Sequence, residues 1–188
     1  MVQMSPLVTR VARLSDVRTL VALVNSAYRG DSSRAGWTTE ADLLGGQRTD
    51  EESLTEFIAR GERTGDRAML VYERERRLIA CVQLERRGQE AYLGMLTIMP
   101  TLQSDGLGKA LLAAAEEFVL RTWNSISITM TVIEQRPELL AWYERRGYAR
   151  TGDTAAFPYG DARFGEPKRP DLRFVVLSKS LTLVPTNA

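Results

Sequence analysis

The chain has 188 residues, 44% of them apolar, and its 25 lysines and arginines nearly balance its 24 aspartates and glutamates. This length and apolar content predict one domain over residues 1–188, and the near-neutral charge argues against binding to nucleic acid or to an anionic membrane surface. The absence of histidine excludes Ser/His/Asp and Cys/His catalysis and every histidine-liganded metal site.

The N-terminal segment and the single cysteine restrict the possibilities further. The N-terminal segment has no continuous apolar stretch that would form a signal peptide or a membrane span, so we expect a cytoplasmic protein without a membrane partner. The single cysteine, Cys81, has no intrachain partner for a disulfide and lies in an apolar run over 78–82. We expect it to be buried and to take no part in catalysis.

In the first half of the chain, apolar periodicity predicts a strand over 8–11 and then a helix that ends near Tyr28. Residues 30–50 look irregular. Thr49 and Glu52 predict a capping box for a second helix. Three strand patterns separated by charged turns follow, at residues 68–72, 78–84 and 91–99.

In the second half, a helix begins within 102–112, a strand follows at 125–133, and Pro137 suits the first turn of another helix. A final strand is predicted at 172–177. The strand–helix–strand unit over 91–133 requires a right-handed crossover. The sequence therefore predicts at least one parallel strand pair in an otherwise antiparallel sheet.

The segment LQSDGLGKALL, residues 102–112, places two glycines where an apolar helix begins. A helix N-terminus attracts anions, because its amides lack partners and its dipole is positive there; glycines let a phosphate approach. A Walker loop is excluded because Gln103 and Ala110 stand where a glycine and a hydroxyl are required. A dinucleotide fingerprint lacks its third glycine, which is Leu111 here.

The remaining pattern, Gln103-x-x-Gly106-x-Gly108, follows Ile98-x-Pro100 and precedes Lys109-Ala-Leu-Leu. A second motif, LLAWYERRGY over 139–148, has a tyrosine four residues before its glycine. Together these motifs resemble the GNAT superfamily of N-acetyltransferases, which use acetyl-CoA. The resemblance covers nearly the whole chain and implies a single acetyltransferase domain with an α+β fold. That fold has three layers, α/β/α, around a mixed, mostly antiparallel twisted sheet with one parallel, splayed strand pair.

The resemblance also implies where acetyl-CoA binds. The pantetheine arm enters the gap between the splayed strands and contacts the end of the first one, at Leu96, Thr97 and Ile98. The pyrophosphate lies on the following segment, which comprises Gln103, Ser104, Asp105, Gly106, Leu107, Gly108 and Lys109. No metal is implied.

Catalysis is expected to use Tyr143, which matches the family tyrosine and would give its proton to the departing thiolate. The group that takes the proton from the amine is less defined. Glu134 is the first candidate, followed by Glu85 and Glu90, and a chain of water molecules is the alternative. Each of these carboxylates also suits an ordinary solvated surface position.

Two positions depart from the family pattern. Arg136 stands where the family often has asparagine, and its guanidinium is expected to contact a phosphate or carbonyl of CoA instead. Asp105 stands where a basic residue is frequent. Its carboxylate would cap the helix but repel a phosphate.

The acceptor is expected to be a primary amine of a small molecule, bound by the least regular loops. One is residues 28–40, with Tyr28 and Trp37, and the other is residues 157–164, with Tyr159 and Asp161. Their aromatic faces and carboxylates would suit a cationic amine. A peptide acetyltransferase, a CoA-binding regulatory module without catalysis and a nicotinamide-dependent oxidoreductase remain alternatives, and a homodimer stays open.

Overall fold

The structure, a computed structural model, describes residues 8–103 and 106–182. In this part of the chain, seven strands form one mixed sheet in the order β1-β3-β4-β5-β6-β9-β7. Their bounds are β1 Val8–Val11, β3 Arg67–Arg74, β4 Arg77–Arg87, β5 Glu90–Ile98, β6 Ser127–Ile133, β7 Ala149–Ala156 and β9 Arg173–Ser180. A separate two-stranded pair joins β2 Leu44–Gly45 to β8 Glu166–Pro167 and so ties the two irregular regions together.

Four α-helices accompany the sheet within the described residues: α1 Val17–Tyr28, α2 Glu51–Thr64, α3 Leu107–Trp123 and α4 Pro137–Glu144. Each presents an apolar face to the core. Pro137 begins α4, as the sequence predicts, because a proline in the first helical turn removes no hydrogen bond. None of the described helices is long and apolar enough to span a membrane.

Alternation along β3 separates the core into two layers. Met69 and Val71 pack in one cluster with α1 and α2, whereas Leu70 and Tyr72 pack in another with α3 and α4. Successive side chains of a strand point to opposite faces, so the helices cover both faces of the sheet. The predicted three-layer arrangement is confirmed. Cys81 is completely buried in the α1/α2 layer.

The predicted parallel pair is β5 with β6, and it is short. Its register covers only Glu90 to Tyr92 on β5 against Ser127 to Thr129 on β6. Beyond this point the strands separate toward their C-terminal ends, and β5 is irregular, with a shift of its register against β4 and a positive φ of 53° at Met95. The resulting gap opens between the end of β5 and the end of β6.

One sequence prediction needs correction, and the edge strand β7 was missed. Helix α2 is capped by Asp50, whose carboxylate accepts a hydrogen bond from the Ser53 amide at 2.7 Å, and not by Thr49. Strand β7 was not predicted at all. It is exposed along its whole length at the edge of the sheet, so its residues show no alternation of apolar and polar side chains.

Candidate active site

Two cavities meet where β5 and β6 separate. The large cavity has a volume of about 380 Å³ and extends from the gap to the N-terminus of α3, and the small cavity, of about 120 Å³, lies on the other side of the gap. Among the described residues, those that line both cavities are Tyr28, Leu96, Arg136, Leu139 and Tyr143. The junction between the cavities is therefore formed by two tyrosines, an arginine, a leucine of α4 and the end of β5.

The two motif glycines line the large cavity, and each position favours glycine for a different reason. Gly106 precedes α3 with φ +78°, a left-handed conformation that side chains disfavour. Gly108 has an ordinary φ, but a Cβ atom there would lie 3.3 Å from Cζ2 of Trp142 and 3.7 Å from Cγ1 of Ile98. Leu107 is buried beneath this turn and Lys109 is exposed beside it, whereas Ser104 and Asp105 lie outside the described residues.

The end of β5 forms one wall of the large cavity. The Leu96 carbonyl accepts a hydrogen bond from the Tyr28 hydroxyl at 2.9 Å, and the Ile98 carbonyl accepts one from the Gln103 amide nitrogen at 3.3 Å. Thr97 is buried, with its hydroxyl donating to the Met95 carbonyl. These contacts fix the backbone that, by the family resemblance, is expected to contact the pantetheine arm.

Gln103 also positions the neighbouring loop. Its side-chain oxygen accepts a hydrogen bond from the Trp37 amide at 3.0 Å, and a Cβ atom at Gly36 would lie only 2.3 Å from that oxygen. Trp37, 43% exposed, then stands over the large cavity, 6.4 Å from the ring of Trp142. The motif glutamine therefore holds a wall of the cavity in place.

Two cationic residues that sequence reasoning missed line the large cavity. Arg145 and Arg146 follow α4 and line this cavity together with Lys109 of α3. The Arg146 guanidinium stacks 3.7 Å from the Trp142 ring and donates to the Trp142 carbonyl at 2.6 Å. The two consecutive arginines before Gly147 are the feature of the sequence that could have indicated these cations. With the amides of the first turn of α3, these cations provide an environment for phosphate groups.

A cluster of buried charged groups lines the small cavity. The Glu40 carboxylate forms ion pairs with Arg136 at 2.9 Å and with Arg29 at 3.2 Å, and all three side chains are at least nine-tenths buried. Arg136 also donates to the Thr38 hydroxyl at 2.7 Å. The Arg136 guanidinium, which was expected to contact CoA, is thus held by the Glu40 carboxylate. The sequence gives no indication of this pairing, because the two residues are far apart in the chain.

Tyr143 lines both cavities at the junction. Its ring is buried and packs edge-on against Trp142 and Tyr148, at centroid distances of 5.0 and 5.7 Å, yet among the described residues its hydroxyl has no hydrogen-bond partner. Burial raises the pKa of Tyr143 well above the usual range of a phenol. The residue therefore remains protonated and can donate to a group bound at the junction.

The structure does not bring all predicted site residues together. Glu134 lies beside β9, paired with Arg173, and lines neither cavity at the junction. Tyr159 also lines neither cavity; its hydroxyl donates to the Arg169 carbonyl and accepts from the Leu172 amide, which fixes a loop.

The remaining carboxylate candidates have surface positions. Glu85 pairs with Arg67 and Arg87, and Glu90 begins β5, at the end opposite the gap. Within the described residues, no group of three or more cysteine, aspartate and glutamate side chains has the arrangement of a metal site.

Comparison with known proteins gives the family. Residues 38–158, more than half of the chain, match the profile described as "Acetyltransferase (GNAT) domain". The chain therefore belongs to the GNAT acetyltransferase family and is an N-acetyltransferase. A comparison with curated protein sequences gives no match.

Solved structures agree in fold. A chimera of the spermidine N-acetyltransferase SpeG from Vibrio cholerae and hSSAT has a TM-score of 0.67 and 17% identity, over 94% of this chain and 96% of that one. The PaiA N-acetyltransferase from Thermoplasma acidophilum, in complex with coenzyme A, has a TM-score of 0.67, 16% identity and coverages of 93% and 99%. The ribosomal-protein-S18-alanine N-acetyltransferase from Escherichia coli has a TM-score of 0.67, 12% identity and coverages of 97% and 99%.

Proposed function

We propose that this protein transfers the acetyl group of acetyl-CoA directly to the primary amine of a small molecule. The observation that carries the proposal is the junction of the two cavities beside the Tyr143 hydroxyl, which has no hydrogen-bond partner among the described residues. A direct transfer needs two substrates that enter from opposite sides and meet at one point, and this arrangement provides that geometry.

Acetyl-CoA fits the large cavity by its chemistry. The pyrophosphate would bind to the amides at the start of α3, where Gly106 and Gly108 leave room, with Lys109, Arg145 and Arg146 lining the same cavity. The pantetheine arm would follow the end of β5 into the gap. The thioester would then lie at the junction, near Leu96 and Tyr143. The CoA complex of the PaiA protein supports this assignment through its similar fold.

The reaction requires a neutral amine to attack the thioester carbon and a proton for the departing sulfur. Tyr143 can supply that proton or donate a hydrogen bond to the sulfur as the C–S bond breaks. Among the described residues around the small cavity, the only carboxylate is Glu40, which is engaged by two arginines. A protein carboxylate is therefore poorly placed to deprotonate the amine, and water molecules at the junction are the better route for its proton.

The size of the small cavity supports a small acceptor. Its volume of about 120 Å³ is well below the roughly 300–1,000 Å³ of sites for drug-sized ligands. Its walls include Phe157 and Phe174, whose stacked rings are 5.6 Å apart, together with Phe164 from the loop that follows β7. An extended peptide would need a long groove on this side, so a small-molecule acceptor is the better fit.

Binding and turnover test the proposal separately. Calorimetry should detect CoA binding, and release of free thiol from acetyl-CoA should depend on an added amine. Tyr143→Phe keeps the packed ring, so CoA binding should be retained while turnover falls about 10²- to 10⁴-fold. Because burial keeps the Tyr143 phenol protonated, ionisation of this residue should not lower the wild-type rate below pH 10. Absence of CoA binding would refute the assignment of the large cavity, and unchanged turnover in Tyr143→Phe would remove this residue from the mechanism.

A further inference from the structure

The charges around the small cavity do not match a cationic acceptor. Among its described lining residues, three arginines, Arg29, Arg48 and Arg136, face one carboxylate, Glu40. Glu40 is shared between Arg29 and Arg136. The carboxylate of the neighbouring loop, Asp161, which the sequence suggested for binding a cation, pairs with Arg163 and does not line the cavity.

Arg48 is the one of these arginines without a carboxylate in ion-pair contact, as far as the described residues show. Its guanidinium lies over the ring of Tyr28, 5.5 Å from the ring centroid, and Tyr28 reaches the junction of the two cavities. The backbone around Arg48 is fixed, because the amides of Arg48 and Thr49 both donate to the Asn25 side chain, at 2.7 and 3.2 Å. Arg48 therefore presents a half-buried guanidinium in the wall of the cavity, and no described carboxylate pairs with it.

We propose that the acceptor carries a carboxylate, that Arg48 binds this group, and that the enzyme acetylates small amino carboxylates rather than polyamines. The proposal rests on the function proposed above and names the class of its acceptor. A guanidinium can bind a carboxylate through two parallel hydrogen bonds, which fixes the direction in which the amine points. Arg29 and Arg136 add positive potential behind this contact.

The same charges help to explain how the amine becomes reactive. Neighbouring cations disfavour the ammonium form and lower the pKa of a bound amine. The ammonium proton leaves to water, and the nitrogen lone pair then forms a bond to the thioester carbon. As the C–S bond breaks, Tyr143 gives its proton to the sulfur, and the second proton lost by the nitrogen returns through water to the Tyr143 oxygen. A polyamine would place additional positive charge beside these arginines, where no described carboxylate is free to receive it.

The test uses matched acceptors and matched variants of the full chain. The acceptors are free amino acids with apolar or aromatic side chains, the corresponding amino acid amides, which lack the carboxylate, and spermidine. The variants are Arg48→Met, Arg48→Lys and, as a control for the same chemical change, Arg121→Met on the exposed side of α3. The readouts are kcat/KM from thiol release and, independently of turnover, calorimetric binding of each acceptor to the CoA complex.

We expect at least one free amino acid to be acetylated, and to be preferred over its amide and over spermidine. Arg48→Met should lower kcat/KM and affinity for the amino acid about 10- to 100-fold but change those for the amide less than about 3-fold. Arg48→Lys should restore part of the difference, and Arg121→Met should behave as wild type. A structural role for Arg48 would instead lower the values for both acceptors equally.

The proposal is overturned if Arg48→Met affects acid and amide alike, if spermidine or the amides are preferred, or if no free amino acid binds or reacts. Failure of the underlying function looks different, because CoA itself would then give no heat of binding to the wild-type chain. An enzyme that binds CoA and acetylates only spermidine would retain the proposed function and refute the acceptor class.

Discussion

Replacement of Glu40 by glutamine should destabilise the protein strongly. The Glu40 carboxylate lies between Arg29 and Arg136, at 3.2 and 2.9 Å, and the exposed fractions of the three side chains are 9%, 5% and 7%. Glutamine has nearly the same shape but no charge, so the Arg29 guanidinium would remain buried without a counter-ion, and Arg136 would keep only the half-exposed Glu138, at 3.9 Å. Burial already lowers the pKa of Arg29, which reflects the cost of desolvating its charge.

Removal of one partner from a buried ion pair costs about 3–5 kcal/mol, because an uncompensated charge is left in the interior. For a domain of this size, 1 kcal/mol lowers Tm by roughly 2–4 °C, so Glu40→Gln should lower Tm by about 6–20 °C. Circular dichroism during heating and urea unfolding would measure the change. The loop over 37–45 depends on the same contacts, so the acceptor side of the site should also lose order.

Asp42→Asn is the matched control, two residues away in the same segment. Asp42 pairs with Arg34 at 2.7 Å, but both side chains are largely exposed, and exposed pairs contribute little. Asp42→Asn should therefore unfold like the wild type. If the two variants have the same Tm, the buried cluster is not held by charge compensation and our reasoning about the small cavity must be revised.

Further predictions concern the large cavity, the core and the pH dependence. Gly108→Ala should raise the KM for acetyl-CoA, because its Cβ would lie 3.3 Å from Trp142. Gly106→Ala should mainly lower the stability, by about 1–2 kcal/mol, because its φ is left-handed. Equal effects of the two variants on steady-state kinetics and on melting would contradict this distinction. Cys81 should resist alkylation in the native state and react on unfolding, because burial raises its pKa to about 12; rapid native-state labelling by iodoacetamide would refute its burial. Asp16 accepts two hydrogen bonds from Arg10, which hold its pKa below the usual value, so it stabilises the fold above about pH 4 and this contribution is lost as the pH falls further. Urea unfolding should therefore show that Asp16→Asn is less stable than wild type at pH 7 and that the gap closes in acid; a gap independent of pH would be inconsistent with this account.

Local patterns predicted most of the fold because most of its helices and strands have periodic apolar residues or begin and end at proline and glycine. The helix from Pro137 and the turn at Gly106 follow from single residues whose backbone preferences are strong. The parallel pair follows from the length of the crossover over 91–133. Strand β7 escaped prediction because its own sequence, ARTGDTAA, has neither an apolar face nor β-branched residues in alternation.

The wall of the large cavity near α3 could be predicted from sequence, whereas the charged lining of the small cavity could not. That wall comes from one contiguous segment, from the end of β5 to the start of α3, so its glycines and glutamine appear as a motif. The cluster of Arg29, Glu40 and Arg136 joins residues up to 107 positions apart, between 29 and 136, and each of them alone looks like a surface charge. Arg48 is equally inconspicuous in the sequence. Only the fold shows that these charges face one small cavity.

The two tyrosines at the junction differ in what their protons can do. Burial raises the pKa of Tyr28 to about 12 and that of Tyr143 further, so both phenols keep their protons at neutral pH. The Tyr28 proton is already donated to the Leu96 carbonyl at 2.9 Å, where it stabilises the separated end of β5. The Tyr143 hydroxyl has no such acceptor among the described residues. Of the two phenols beside the proposed thioester position, Tyr143 is therefore the one whose proton is available to the departing sulfur, while Tyr28 positions the strand along which the coenzyme would lie.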